Sequence, residues 1–259
     1  MLEQEAISEV RVSIADRVMT ITLNRARKKN AVTDAMYSAI AASLRRAQED
    51  PDVHVALLTA DGADFCAGND INVLMGVHDA REAPASNAEA FLTGLSTFPK
   101  PLIAAVQGMA IGIGATLLLH CDVVFAAPDT QLKMPFVDLG LVPEAGSARL
   151  LPAIIGHPKA FSIFAFGLPL SGAAAADLGL VSHLVPREQL QAAALEAAQA
   201  LASKPPAALT ATKALMRDQA AIRAALAADR AALLERLASP EAAAALARFM
   251  ARKPSAAGP

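Results

Sequence analysis

KPLIAAVQGMAIGIGATLLLHCDVVFAAPDTQLKMPFVDLGLVPEAGSARLLPAIIG, residues 100–156, sets short apolar runs around the closely spaced Gly112 and Gly114 and ends past an acid, Glu144, among apolar and small residues. Leu102 through Val106 is apolar and part β-branched and stops at Gln107-Gly108, which suits a buried strand. Gly112 and Gly114 follow, then Leu117-Leu118-Leu119. The pattern predicts strand, glycine-rich turn, helix. At such a helix start the backbone N–H groups are free, and glycine keeps side chains clear of them, so a ligand oxygen can reach the donors. A second strand is expected over Val123–Ala126. Beyond it, Glu144 lies in VPEAGS among apolar and small neighbours. A carboxylate there is poorly hydrated, which raises its pKa toward the range useful for moving protons.

The rest of the chain surrounds this stretch with alternating strands and helices. Val10, Val12 and Ile14, then Met19, Ile21 and Leu23, alternate about Ala15-Asp16-Arg17 and predict a hairpin of half-buried strands. Residues 24–30, NRARKKN, form a basic loop that reads either as a solvated turn or as a clamp for phosphate. Thr33 is placed to cap a helix carrying Met36, Ile40, Leu44 and Ala47 on one face, ending near Asp50-Pro51. A strand is expected over residues 53–59. The small and polar residues 63–71 come next, where open α/β sheets present binding loops. Cys66 in that loop reads as an inert small residue. Residues 78–86 read as a mobile polar loop, and Phe91, Leu92, Leu95 and Phe98 as a helical face. Pro158 suits a helix start, Ser171 caps another helix ending at Gly179, and residues 181–185 suggest a short strand. From Arg187 onward the chain reads as Ala-rich helices broken at Pro205-Pro206 and Pro240. A core of residues 1–200 and a helical region of residues 201–259 are therefore expected, with a frayed KPSAAGP end.

Composition narrows the function. A chain 54% hydrophobic and 19% charged is a well-buried globular protein. A net charge of −2 gives no electrostatic footprint for nucleic acid or anionic membrane. Residues 102–119 are apolar enough to raise the question of a membrane span, but glycines and Gln107 interrupt them and charged residues border them. Cys66 and Cys121 form no CxxC pair and the start carries no basic-then-apolar signal, so a cytoplasmic location is expected. Leu117 stands where a dinucleotide fingerprint needs its third glycine. No phosphate-loop Gly-Lys-Ser/Thr or GxSxG elbow is present, and the five histidines lack metal-ligand spacing.

FCAGNDI at 65–71 and AAVQGMAIGIGATL at 104–117, with LNR…NA at 23–31, PKPLIAAVQG, HCDVVFAA and ADLGLVSHLVP in order, resemble the enoyl-CoA hydratase/isomerase (crotonase) superfamily. The resemblance implies an α/β spiral of stacked β-β-α units with C-terminal helices used in trimerisation, as a homotrimer or a dimer of trimers. It implies an acyl-CoA thioester substrate and an enolate, with coenzyme A arriving on the substrate and no separate cofactor. By the same resemblance the oxyanion hole is formed by the N–H groups of Asn69 and Ile113. Lys28 contacts the CoA phosphates, and Ala67 and Ile71 flank the adenine and pantetheine path. Gly68, Asp70, Gly112 and Gly114 are the remaining substrate-binding positions.

The family's hydratases carry two glutamates at positions occupied here by Thr116 and Phe136, neither of which takes a proton at neutral pH. Glu144 stands instead where the family's Δ3-Δ2-enoyl-CoA isomerases place their single acid. Moving a proton from C2 to C4 needs one carboxylate as base and then acid, so isomerisation is the expected reaction. Asp138 is the rival acid. Hydration through Glu144, dienoyl isomerisation, and a non-catalytic acyl-CoA- or RNA-binding relative are the alternatives.

Overall fold

A computed structural model describes residues 8–70 and 86–251. Strands β1 (Val10–Ala15) and β2 (Val18–Leu23) form the expected hairpin, and helix α1 (Asp34–Glu49) follows with Thr33 accepting from the Met36 N–H. β1 is an edge strand: Val12 and Ile14 stay 39% and 38% exposed, so its alternation does not mark a buried face. Strand β3 (Val55–Ala60), helix α2 (Asn87–Thr97) and strand β4 (Leu102–Val106) come next. β5 (Met109–Ile111), α3 (Ile113–Thr116), β6 (Val123–Ala126) and β7 (Gln131–Lys133) then build two layers.

The larger sheet runs β1-β2-β3-β4-β6 and ends on β9 (His183–Leu184), parallel throughout except for the β1–β2 hairpin. The smaller sheet pairs β5 with β7, and β7 with β8 (Leu170–Ser171). Each turn of chain thus lays one strand in the large sheet and the next in the small one. β4 leads to β5, β6 leads to β7, and β3 leads to Cys66, which bridges to Ala110 in β5. This is the spiral of stacked units. β5 and β7 are too short for a periodicity to reveal.

Both faces of the large sheet are covered, which is why β3 and β4 are apolar throughout. Ala56 and Leu58 face α1 and α2. Val55 and Leu57 face α7 (Leu190–Ala202), whose Leu190, Ala194, Ala198 and Ala202 recur every fourth residue. Helices α4 (Ser147–Ile155), α5 (His157–Phe166) and α6 (Gly172–Asp177) lead to β9, and Ser171 caps α6 through the Ala174 N–H. Beyond α7 run α8 (Pro206–Met216), α9 (Gln219–Leu237) and α10 (Pro240–Ala251). The break between α8 and α9, capped by Asp218, has no proline to announce it. α9 packs against α2 and α4. Among the described residues no helix is long and apolar enough to cross a membrane. The expectations for residues 78–85, for Ile71 and for the KPSAAGP end lie outside the described residues.

Candidate active site

Two backbone segments interlock where the sheets meet. The Cys66 N–H donates to Met109 O (2.9 Å), and Cys66 O accepts from the Ile111 N–H (2.9 Å). Val32 N–H donates to Gly68 O (2.8 Å) and Asp70 N–H to Val32 O (2.9 Å), a parallel bridge that uses the groups flanking Asn69. The Asn69 N–H is left pointing the other way and has no acceptor among the described residues. The Ile113 N–H is likewise unclaimed, because it opens α3. The approach is too close for side chains. A Cβ on Gly114 would stand 2.7 Å from Cys66 Cβ and O, and one on Gly68 3.1 Å from Ile111 O. Gly112, at φ 55°, turns the chain with open space beside it. Ile113 keeps an ordinary negative φ, so its side chain adds no strain there. α3 has only four residues before it tightens into a 3₁₀ turn, so it offers individual N–H donors rather than the macrodipole of a long helix.

Glu144 faces this junction from the loop before α4. Ala145 and Gly146, at φ 62° and 71°, reverse the chain, and the Ser147 N–H returns to Glu144 O (3.1 Å). His120 Nε2 lies 2.8 Å from Ala145 O, a carbonyl that can only accept, so Nε2 carries the proton. Burial holds that imidazole down to about 4, neutral at physiological pH. Glu144 keeps partial exposure, but protein crowds it closely. Burial pushes its pKa up to about 7, and the carboxylate of Asp229 on α9 adds to the shift. Burial also raises Tyr37, with further contributions from Glu144 and Cys66. The Cys66 thiol is pushed up to about 12 by burial, opposed by the Gly68 N–H, with Glu144 adding to the rise. Cys66 is thus a protonated, inert side chain. Tyr37 donates its hydroxyl to Asn69 Oδ1 (2.5 Å). Tyr37, Cys66, Asn69 and Glu144 therefore surround one spot, with Ile113 beside Cys66 through Gly114.

The remaining expected residues divide. Lys28 is exposed in a 3₁₀ turn, free to meet solvent-borne charge. Ala67 is held by its N–H on Lys29 O (2.9 Å). Asp70 is ion-paired to Arg25 at 2.7 Å, and Arg25 also meets Glu9 at 2.8 Å, so part of the basic loop is neutralised internally. Thr116 is fully buried, and Phe136 packs on Phe164 with centroids 6.3 Å apart. Asp138 is exposed beside Gly167. No cluster of three metal-ligating side chains occurs among the described residues. Two residues at the site carry no signal in the sequence. Tyr37 adjoins Met36 on what reads as a core helix face, and Asp229 lies in an Ala-rich helix far along the chain.

Comparison with known proteins agrees with this architecture. The chain matches the enoyl-CoA hydratase/isomerase family over residues 13–254. It is 37% identical to 1,2-epoxyphenylacetyl-CoA isomerase of Escherichia coli K12, over 73% of this chain and 74% of that protein. It is 34% identical to the 2,3-dehydroadipyl-CoA hydratase of the same organism, over 86% and 88%. Mouse peroxisomal enoyl-CoA delta isomerase 3 is 32% identical over 96% of this chain and 80% of that protein. Among solved structures, Pseudomonas aeruginosa OdaA superposes with a TM-score of 0.89 at 41% identity, covering 95% of this chain and all of that one. A spiral of paired sheets, two interlocked loops offering free amides, and this set of relatives lead to one conclusion: the chain belongs to the enoyl-CoA hydratase/isomerase (crotonase) family of enzymes.

Proposed function

We propose that the protein is an enoyl-CoA isomerase that moves a double bond from the 3- to the 2-position of an acyl-CoA thioester. The observation that carries this reading is a partly desolvated carboxylate, Glu144, facing the junction with the two unclaimed amides, with Thr116 and Phe136 buried where a hydratase pair would stand. Glu144 takes the C2 proton, and the charge passes to the thioester oxygen between the N–H groups of Asn69 and Ile113. Fixed amides stabilise that oxyanion without reorganising. Protonated Glu144 then returns the proton to C4, leaving C2=C3 conjugated with the thioester. A pKa of about 7 suits a group that must accept and release one proton near neutral pH. Lys28, Ala67, Gly68, Asp70, Ile71, Gly112 and Gly114 line the substrate path in this reading. The substrate brings coenzyme A, no other cofactor takes part, and the working unit is a cytoplasmic homotrimer or dimer of trimers. Dienoyl isomerisation and a non-catalytic acyl-CoA-binding role remain outcomes of the test.

The test follows conjugated-thioester absorbance with 3-enoyl-CoA. Glu144→Gln should lose on the order of 10² to 10⁴ in kcat while CoA-thioester affinity holds. The base works ionised, so wild-type kcat/KM should rise with pH through about 7 and level above it. A Glu144→Gln variant with most of its activity would sink the assignment. Hydration is favoured by one observation, the second carboxylate of Asp229 close to Glu144. A 3-hydroxyacyl product from 2-enoyl-CoA would decide for it.

A further inference from the structure

α9 turns a stripe at helical spacing toward the rest of the chain: Ile222 and Leu237 are buried, and Leu226, Asp229 and Leu233 are half-buried. Four of the five are apolar, and the fifth is an acid. Leu226 packs against the position of Gly146, with its Cδ2 3.7 Å from where a Cβ would lie there. One turn later Asp229 faces the N–H groups of Gly146 and Ala148, the free donors that open α4. Arg230, next in the chain, is ion-paired with Glu89 of α2 at 3.2 Å. α9 is thus held on both sides, and Asp229 is aimed at the loop that carries Glu144. Its Oδ2 is buried without a hydrogen-bond partner among the described residues. An unsatisfied buried carboxylate oxygen is costly, and an apolar residue would serve the stripe better if packing were all that mattered.

We propose that Asp229 is a positioning residue for Glu144: from the C-terminal helical region it fixes the loop of residues 144–148 through the start of α4, and its negative charge keeps Glu144 able to hold the transferred proton. The proposal rests on the assignment of Glu144 as the proton-transfer group. Like charges at close range disfavour joint ionisation, so one of the two carries the proton at a pH where an isolated carboxylate has lost it. The other groups around Glu144 do not supply this. Tyr37 from α1 and Cys66 from the loop before α2 are both protonated, and His120 reaches the loop only through Ala145 O and is neutral. Around Asp229, the α4 amides lower its pKa in part, Arg230 is engaged by Glu89, and Arg149 of α4 is exposed to solvent. The two carboxyls titrate as a pair, so the observable is the pair's pair of midpoints.

Asp229→Asn separates charge from shape, because the amide keeps a carbonyl acceptor for the α4 donors. Carboxyl carbon NMR on ligand-free, ¹³C-labelled protein reads the result, with the Glu144 resonance identified as the one missing in Glu144→Gln. The Glu144 midpoint should fall from about 7 in Asp229→Asn, with burial still holding it above the ordinary value of 4.5, and stay raised in Asp229→Glu. The acid limb of kcat/KM should move down with it. A midpoint unmoved by Asp229→Asn would overturn the proposal and leave Asp229 a purely structural contact. If Asp229→Asn does not fold, Asp229→Ser removes the same charge while keeping an acceptor for the α4 donors, and a Glu144 midpoint unmoved in that variant would equally overturn the proposal. Activity retained by Glu144→Gln would remove the isomerase reading alone, since the midpoints are read without turnover.

Discussion

Tyr37 is the chain's only tyrosine, and its hydroxyl ends on Asn69 Oδ1, one bond system away from the Asn69 N–H. That contact holds the peptide whose N–H is the proposed oxyanion donor. A net hydrogen bond of this kind is worth about 0.5–1.5 kcal/mol, so Tyr37→Phe should lower kcat by roughly 2- to 10-fold. Asn69→Ala should cost about the same, and the double variant little more than either, because both remove one contact. Asn69→Pro deletes the N–H itself and should lose on the order of 10² or more. Steady-state kinetics of the four variants checks this. Additive losses in the double variant, or near wild-type turnover in Asn69→Pro, would detach Asn69 from the chemistry. Glu144 is legible in the sequence because an acid among Val142, Pro143, Ala145 and Gly146 contrasts with its neighbours. Tyr37 is not, because helical periodicity explains a buried aromatic without any site. Asp229 is not, because an acid in a helix rich in Arg and Ala reads as its solvated side.

At the scale of elements, the docking of α8 onto the start of β4 depends on a compact charge cluster. Lys213 Nζ meets Asp122 Oδ2 at 2.6 Å and Lys100 O at 2.8 Å, and sits 5.4 Å from the centre of the Phe98 ring. Asp122 Oδ2 also accepts from the Leu102 N–H at 2.8 Å, while Lys100 Nζ donates to Ala47, Asp50 and Val53 carbonyls. Lys213 is only 8% exposed. Removing one partner of a buried pair typically costs about 3–5 kcal/mol. Arg217, 3.9 Å from Asp122, partly covers the loss, so Lys213→Ala should fall near the lower end by urea denaturation. A change below 1 kcal/mol, within the range of surface pairs, would mean the cluster is solvated in solution. The strands and capped helices flanking it are legible from apolar runs, Thr33 and Ser171. The cluster is not, since Lys100, Asp122 and Lys213 come together only through the parallel order β3-β4-β6 and the placing of α8 beneath it.

At the scale of the molecule, the described surface keeps several large apolar side chains exposed. Phe161, Phe166 and Leu168 on and just after α5 are 63%, 67% and 67% exposed, and Leu215 and Met216 at the end of α8 are 90% and 80% exposed. Contiguous apolar patches mark contact surfaces, and the proposed trimer would cover these residues with a second copy of this chain in a closed ring. Light scattering at micromolar concentration should therefore give a mass three or six times that of the 26.7 kDa chain. Phe166→Glu with Leu168→Glu, and separately Leu215→Glu with Met216→Glu, should each shift it to smaller species if the respective face is buried in the assembly. A monodisperse monomer of the unmodified protein would refute the trimer. Tyr37, Asn69, Glu144 and Asp229 meet within one chain, and Ile113 adjoins Gly114, which packs on Cys66 of the same group. A dissociated variant that keeps its helical signal should consequently keep turnover per chain, and a loss of turnover with the fold intact would mean that a neighbouring copy completes the site.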